Sequence, residues 1–196
     1  MRNNMLVTTL LISSLPSSVK LGEEVIRHMS SLLGNALLAD DDVLSNAALY
    51  CVTSLVMASA RAPTPLLRFC VGQTLPYVLQ RLTTDDDHLG DLLKLLTAAL
   101  AIVEPSYRTQ ALSVTLPLLT AQLAPEVSPP STRHSAVTGH LLALASSQSA
   151  AFKAATESLS PEMRSTLETS VRARVGIRRD DIAVNAAPTI ELRSFG

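Results

Sequence analysis

Apolar residues recur at three- and four-residue steps along almost the whole chain, which is the period of a helix with one buried face. Helices are predicted over 2–14, 19–39, 43–60, 64–82, 88–104, 106–124, 131–147, 149–158 and 161–174. Helix breakers stand between them. These are Pro16, the run Asp40-Asp41-Asp42, Pro63 and Pro65, the run Asp85-Asp86-Asp87, Pro105, and the group Pro125, Pro129 and Pro130. The joins are short, so consecutive helices should pack antiparallel.

Two self-matches organise these helices. The aspartate runs lie 45 residues apart, and each opens a helix. Aspartate at such a place accepts from free backbone N–H groups and faces the positive end of the helix dipole. Thr74-Leu75-Pro76-Tyr77-Val78-Leu79-Gln80-Arg81-Leu82 also matches Thr115-Leu116-Pro117-Leu118-Leu119-Thr120-Ala121-Gln122-Leu123 at an offset of 41. Both offsets suit two-helix HEAT-type units of about 40–47 residues. The interior prolines should bend their helices, because each leaves a carbonyl unpaired. The fold class expected is all-α: a solenoid of about four antiparallel hairpins, HEAT- or armadillo-like, with a terminal capping helix and an extended tail.

The domain boundaries follow. Residues 1–158 form the repeats, 159–175 the capping helix, and 176–196 a flexible or extended tail. The cap is well marked: Ser160 at the N-cap, Pro161 at the first helical position and Glu162 in the first turn. It is more polar than the other helices, as the end of a stack must be. Residues 5–15 have no such polarity. They read as a helix that further repeats cover, which makes the chain a C-terminal fragment. Arg2 followed by Met5–Ile12 also has the outline of a signal peptide, but it carries one Arg, two interrupting Thr and no A-x-A site. No window reaches the roughly 18 uninterrupted apolar residues of a membrane span.

Composition narrows the function more than the fold. Of 196 residues, 34 are Leu and 24 are Ala, while aromatics make up 3%. That excludes disorder and an all-β sandwich. Sixteen basic residues against seventeen acidic ones argue against an electrostatic nucleic-acid binder. Five arginines between Arg164 and Arg179 make a modest positive patch without aromatic interleaving. Cys51 and Cys70 both lie in apolar helical patterns and read as buried free thiols of a reducing compartment, with a disulfide between them as the alternative if their helices pack as neighbours. His28, His88, His134 and His140 have no carboxylate or Cys at ligand spacing, so no metal and no cofactor is expected. No nucleophile elbow, P-loop, dinucleotide fingerprint or H-E-x-x-H is present. The chain is therefore read as a non-catalytic interaction protein.

Such a protein works by presenting side chains from its stacked helices. Arg68, Gln73, Arg81, Gln110 and Gln122 are the polar residues of the second helices of the hairpins. Arg68, Arg81 and Gln122 are candidate partner contacts, with Arg172 and Arg174 from the cap. Ile190 and Leu192 join them, because the alternating stretch 186–196 could add to a partner as an extended peptide.

The end of the chain carries a resemblance. Ser160-Pro161-Glu162-Met163-Arg164-Ser165-Thr166-Leu167-Glu168, then a linker, then Ala187-Pro188-Thr189-Ile190-Glu191-Leu192, is similar to the C-termini of the HEAT-repeat-containing protein 5 or Laa1-like family. The resemblance implies a scaffold segment serving clathrin adaptors at the trans-Golgi network and endosomes. It implies a cytoplasmic, at most peripherally membrane-bound protein. Its partners would be other proteins, such as clathrin adaptor complexes, the preceding repeats of a longer chain, and a second copy in a homodimer. No binding residue carries over by motif. The alternative is a HEAT or armadillo scaffold of another system: nuclear transport, chromosome organisation, or a kinase or proteasome scaffold. The acids here gather at loop tips rather than along an inner face, which weighs against a nuclear-transport receptor. A secreted helical protein is the third reading, if residues 1–15 are a cleaved signal.

Overall fold

A computed structural model describes residues 2–16, 18–19, 21–123 and 131–185, with only the backbone described for residue 2 and for 176–185. Among the described residues there are nine α-helices, one 3-10 turn and no strand. The helices are α1 (Arg2–Ser14), α2 (Glu23–Leu37), α3 (Asp42–Arg61), α4 (Pro65–Thr84), α5 (Leu89–Ala101), α6 (Arg108–Ala121), α7 (Thr132–Ser147), α8 (Ser149–Glu157) and α9 (Pro161–Asn185). The helix starts are set by local chemistry. Asp41 caps α3, its Oδ1 accepting from Val43 N at 2.9 Å and Leu44 N at 3.1 Å. Thr64 and Ser131 cap α4 and α7 in the same way, and Ser160 accepts from Met163 N at the start of α9.

The helices form two layers. In the first, α1 packs on α3, α3 on α5 and α5 on α7; in the second, α2 packs on α4, α4 on α6 and α6 on α8. Each hairpin thus contributes one helix to each layer. Helix α9 lies over α6 and α7 at the end of the stack. The largest fully buried side chains are leucines such as Leu92, Leu96, Leu112, Leu116, Leu141 and Leu144, so the leucine-rich composition is spent between the layers. Helix α3 is 20 residues long and apolar enough, by length and composition, to cross a membrane. In this fold it is the core helix of the stack, in contact with α1, α2, α4 and α5.

Several boundaries differ from the sequence expectation, α5 among them, which ends at Ala101 rather than 104. Helix α2 starts at Glu23 rather than 19, because Gly22 in extended backbone is its N-cap. The expected helix 106–124 is a 3-10 turn, Pro105–Tyr107, followed by α6. The final helix does not stop near 174 but continues to Asn185, into the stretch assigned to the tail. No proline lies between Pro161 and Pro188 to stop it. Residues 186–196, with the rest of the expected extended segment, lie outside the described residues.

The internal repeat is visible in atomic detail. Pro76 and Pro117 lie inside α4 and α6, and both helices run on past them. Two residues before each proline, a buried threonine turns its hydroxyl back onto the helix. Thr74 donates to Cys70 O and Val71 O, and Thr115 to Ala111 O. The helices of the first layer start at Asp42, Leu89 and Thr132, 47 and 43 residues apart.

Two close contacts govern how neighbouring helices fit within a layer. Gly34 of α2 faces Tyr77 of α4, and a Cβ there would fall within 3.0 Å of three ring carbons. His140 of α7 is buried beside Thr97 of α5, with its Nε2 unpartnered. Burial pushes its pKa down to about 4. Both cysteines are buried and free, and burial raises both thiols, that of Cys70 to about 11.

Two outcomes follow for stability. Gly34→Ala should destabilise the fold by roughly 1–3 kcal/mol through overpacking. Gly72→Ala, where a Cβ meets nothing within 4 Å, should stabilise by about 0.5–1 kcal/mol. Thermal melts of the two variants check the opposite signs. His140 is neutral in the folded state down to about pH 4 but protonates near 6.5 when unfolded. Its contribution to stability is therefore complete above about pH 6.5 and is lost as pH falls from there to about 4, by roughly 3 kcal/mol. Denaturant titrations of wild type and His140→Leu across that window should show the slope in the first and its reduction in the second.

Candidate interaction surfaces

One edge of the stack gathers the links from second-layer helices to the next first-layer helix, and its charge is organised around two arginines. Arg81, in the last turn of α4, is buried. Its guanidinium donates to Leu37 O at 3.4 Å, Ser45 O at 3.1 Å and the Ser45 hydroxyl. The same group pairs with Asp85 at 2.7 Å and reaches Asn46 Oδ1 at 3.4 Å. One side chain therefore ties the end of α2, the start of α3, the end of α4 and the approach to α5. Burial alone would raise the Asp85 carboxyl, but the His88 backbone N–H and the Arg81 guanidinium hold it below the usual carboxylate range.

The next joint repeats the device with a different donor. Arg133, at the start of α7, donates to Leu82 O at 2.9 Å and Asp85 O at 3.0 Å, and its Nε meets Asp86 Oδ1 at 2.5 Å. Leu37 and Leu82 are separated by the same 45 residues as the aspartate runs. Gln122 occupies the place of Arg81 at the 41-residue offset, and its Oε1 accepts from Arg133 at 2.8 Å. The two aspartate runs, read alike in the sequence, do different work. Asp41 caps α3, whereas Asp85 and Asp86 neutralise arginines.

Few of the side chains proposed from sequence are open to a partner. Arg81 is inside the stack with its donors committed, so the expectation of a surface contact is corrected: its partners sit 36 and 44 residues away, where no local pattern reveals them. Gln122 serves Arg133. Arg68 is half-exposed and paired with Glu104. Arg174 donates to Ser135 Oγ and lies over Gly139. Arg172 is open to solvent and pairs with Glu168 one turn away. Ile190 and Leu192 lie outside the described residues.

The larger uncovered surfaces are apolar; the sequence marks the first, at residues 5–15, as a face for further repeats, and does not mark the second. The first is the outer side of the first hairpin. Ile12 is buried, but Val7, Leu10 and Leu11 of α1 stay exposed, with Val25 and Leu32 of α2. A cavity of about 280 Å³ opens there among Met5, Thr9, Ile12, Met29 and Leu33. The second is a groove between α3 and α5, with Tyr50 66% and Met57 46% exposed beside it. Periodicity marks such residues as apolar positions but does not say whether a neighbour covers them. Among the described residues, no group of three or more His, Cys, Asp or Glu side chains is placed to hold a metal ion.

Arg81→Met should cost roughly 3–5 kcal/mol, because it leaves Asp85 half-paired and three acceptors unfilled at the joint. Arg172→Ala should change stability by less than about 0.5 kcal/mol, as expected for an exposed pair within one helix. Urea titration of both variants separates the structural arginine from the surface one.

Comparison with known families matches residues 22–182 to the family described as LAA1-like, C-terminal TPR repeats. No curated protein and no solved structure matches the chain. The family's description names the repeats TPR, whereas the units here are longer than the 34 residues of that repeat. The matched span runs from the start of α2 into α9 and leaves out α1. The chain belongs to the LAA1-like family, as part of its C-terminal helical-repeat region.

Proposed function

We propose that the chain is a non-catalytic docking scaffold serving clathrin adaptors at the trans-Golgi network and endosomes. The observation that carries this reading is the family match over 22–182, on a fold that leaves two apolar surfaces uncovered. A stack of helix pairs pinned at its joints is a rigid body. It suits presentation of side chains to a partner better than it suits closure around a substrate. In this reading the protein acts in the cytoplasm and touches membranes only through its partners. The exposed side of α1 and α2 is where further helical units of the same kind would stack. Helix α1 has apolar residues on opposite sides, as an interior helix of a solenoid does.

The test is direct binding between the purified chain and purified clathrin adaptor complexes, read by biolayer interferometry. Saturable binding, retained in Arg172→Ala and lost in the joint variant Arg81→Met, is the expected outcome. Absence of binding to every adaptor complex, by a chain whose helical circular dichroism is intact, overturns the assignment to adaptor traffic.

A further inference from the structure

The groove between α3 and α5 has a feature that the end face of α1 lacks: a strongly charged mouth. Its walls are Leu49, Tyr50, Val56 and Met57 from α3 and Leu95 and Ala98 from α5, around a volume of about 430 Å³. His88 stands at one end. The same His88 lines a polar cleft of about 480 Å³ bordered by Asp40, Asp42, Asp85, Asp86 and Asp87. The apolar groove therefore runs directly into the acidic edge of the stack.

The charge at that edge is not cancelled. Asp85 is matched by Arg81 and Asp86 by Arg133. Asp40, Asp42 and Asp87 are exposed and form no ion pair among the described residues. Asp41 adds a fourth negative charge while capping α3. The two arginines present are buried or half-buried in joint contacts and offer nothing to balance these four. On the groove's own rim, Asp91 and Lys94 neutralise each other at 3.0 Å.

We propose that this groove binds a short segment of a partner protein with large apolar anchors along its length and Lys or Arg at one end. The anchors would lie between α3 and α5 over Tyr50 and Met57, and the basic end over Asp40, Asp42 and Asp87. Tyrosine and methionine are the side chains that interfaces favour, because they offer large, adaptable apolar area. Here they stand one above the other on α3, seven residues apart, in a chain with only three tyrosines. From Asn46 to Met57 the helix advances about 17 Å. That length matches about three turns of a bound helix, or about five residues of extended chain. This inference rests on the scaffold reading and names the chemistry of what the scaffold holds.

The test is selection of random 12-residue peptides displayed on phage against the immobilised full chain. One enriched peptide is then synthesised with fluorescein and titrated by anisotropy. Enriched sequences should share two or three large apolar residues and a basic end. The double variant Tyr50→Ser/Met57→Ser should weaken binding at least tenfold. Asp42→Asn/Asp87→Asn should weaken it several-fold and flatten its dependence on salt. Both variants change exposed side chains, and unchanged thermal melts confirm that the stack is intact. No enrichment, enrichment of acidic peptides, or equal binding by the variants overturns the proposal. Adaptor binding that persists alongside any of those results leaves the scaffold reading standing without this groove; loss of adaptor binding as well removes both.

Discussion

The stack depends on guanidinium groups reaching back across the α2–α3 and α4–α5 joints to the last turn of a helix in an earlier unit. Arg81 does this to Leu37 O, and Arg133 does it to Leu82 O. The end of a helix leaves carbonyls without intrahelical partners and carries the negative pole of its dipole. A cation with several donors answers both needs, and arginine has the fork to bind more than one carbonyl at once. Leucine between the layers provides most of the cohesion, but leucine contacts are non-directional and allow one helix to slide along another. The arginine contacts fix the register. Arg108, which donates to Ala101 O at the end of α5 and to Val103 O just beyond it, and Arg164, which donates to Glu157 O at the end of α8, show the same use within and after the repeats.

This use of arginine explains why the charge balance of the chain says little about its partners. Arg81, Arg108, Arg133, Arg164 and Arg174 all have internal acceptors. The unspent charge is mostly acidic and sits at the joints. A chain with nearly equal numbers of acids and bases thus acquires a one-signed edge, because folding consumes its cations more completely than its anions.

The helices were largely legible because their signals are local. Periodicity, Thr64-Pro65, Ser160-Pro161 and the first aspartate run each act within one or two turns, and α3, α4, α7, α8 and the start of α9 fall within a residue or two of where those signals put them. The repeat was legible because equivalent residues, such as Thr74 and Thr115, keep the same local bond. What could not be read was anything that depends on which helix lies beside which. The burial of Arg81 is set by a carbonyl 44 residues away. The exposure of Tyr50 and Met57 is set by the spacing of α3 and α5. A run of three aspartates looks the same whether it caps a helix or anchors an arginine.

The two edges of the stack are held by different chemistry. At the edge of the α2–α3 and α4–α5 links, the joint is buried and tied to backbone carbonyls. At the opposite edge, the contact between α4 and the α5–α6 link is the exposed pair Arg68–Glu104. Dissolved ions screen the exposed pair far more than the buried contacts. The two edges of the stack therefore differ in how strongly their ties feel dissolved salt. A rise in ionic strength weakens the tie at one edge while the carbonyl-bound arginines of the other keep their hold.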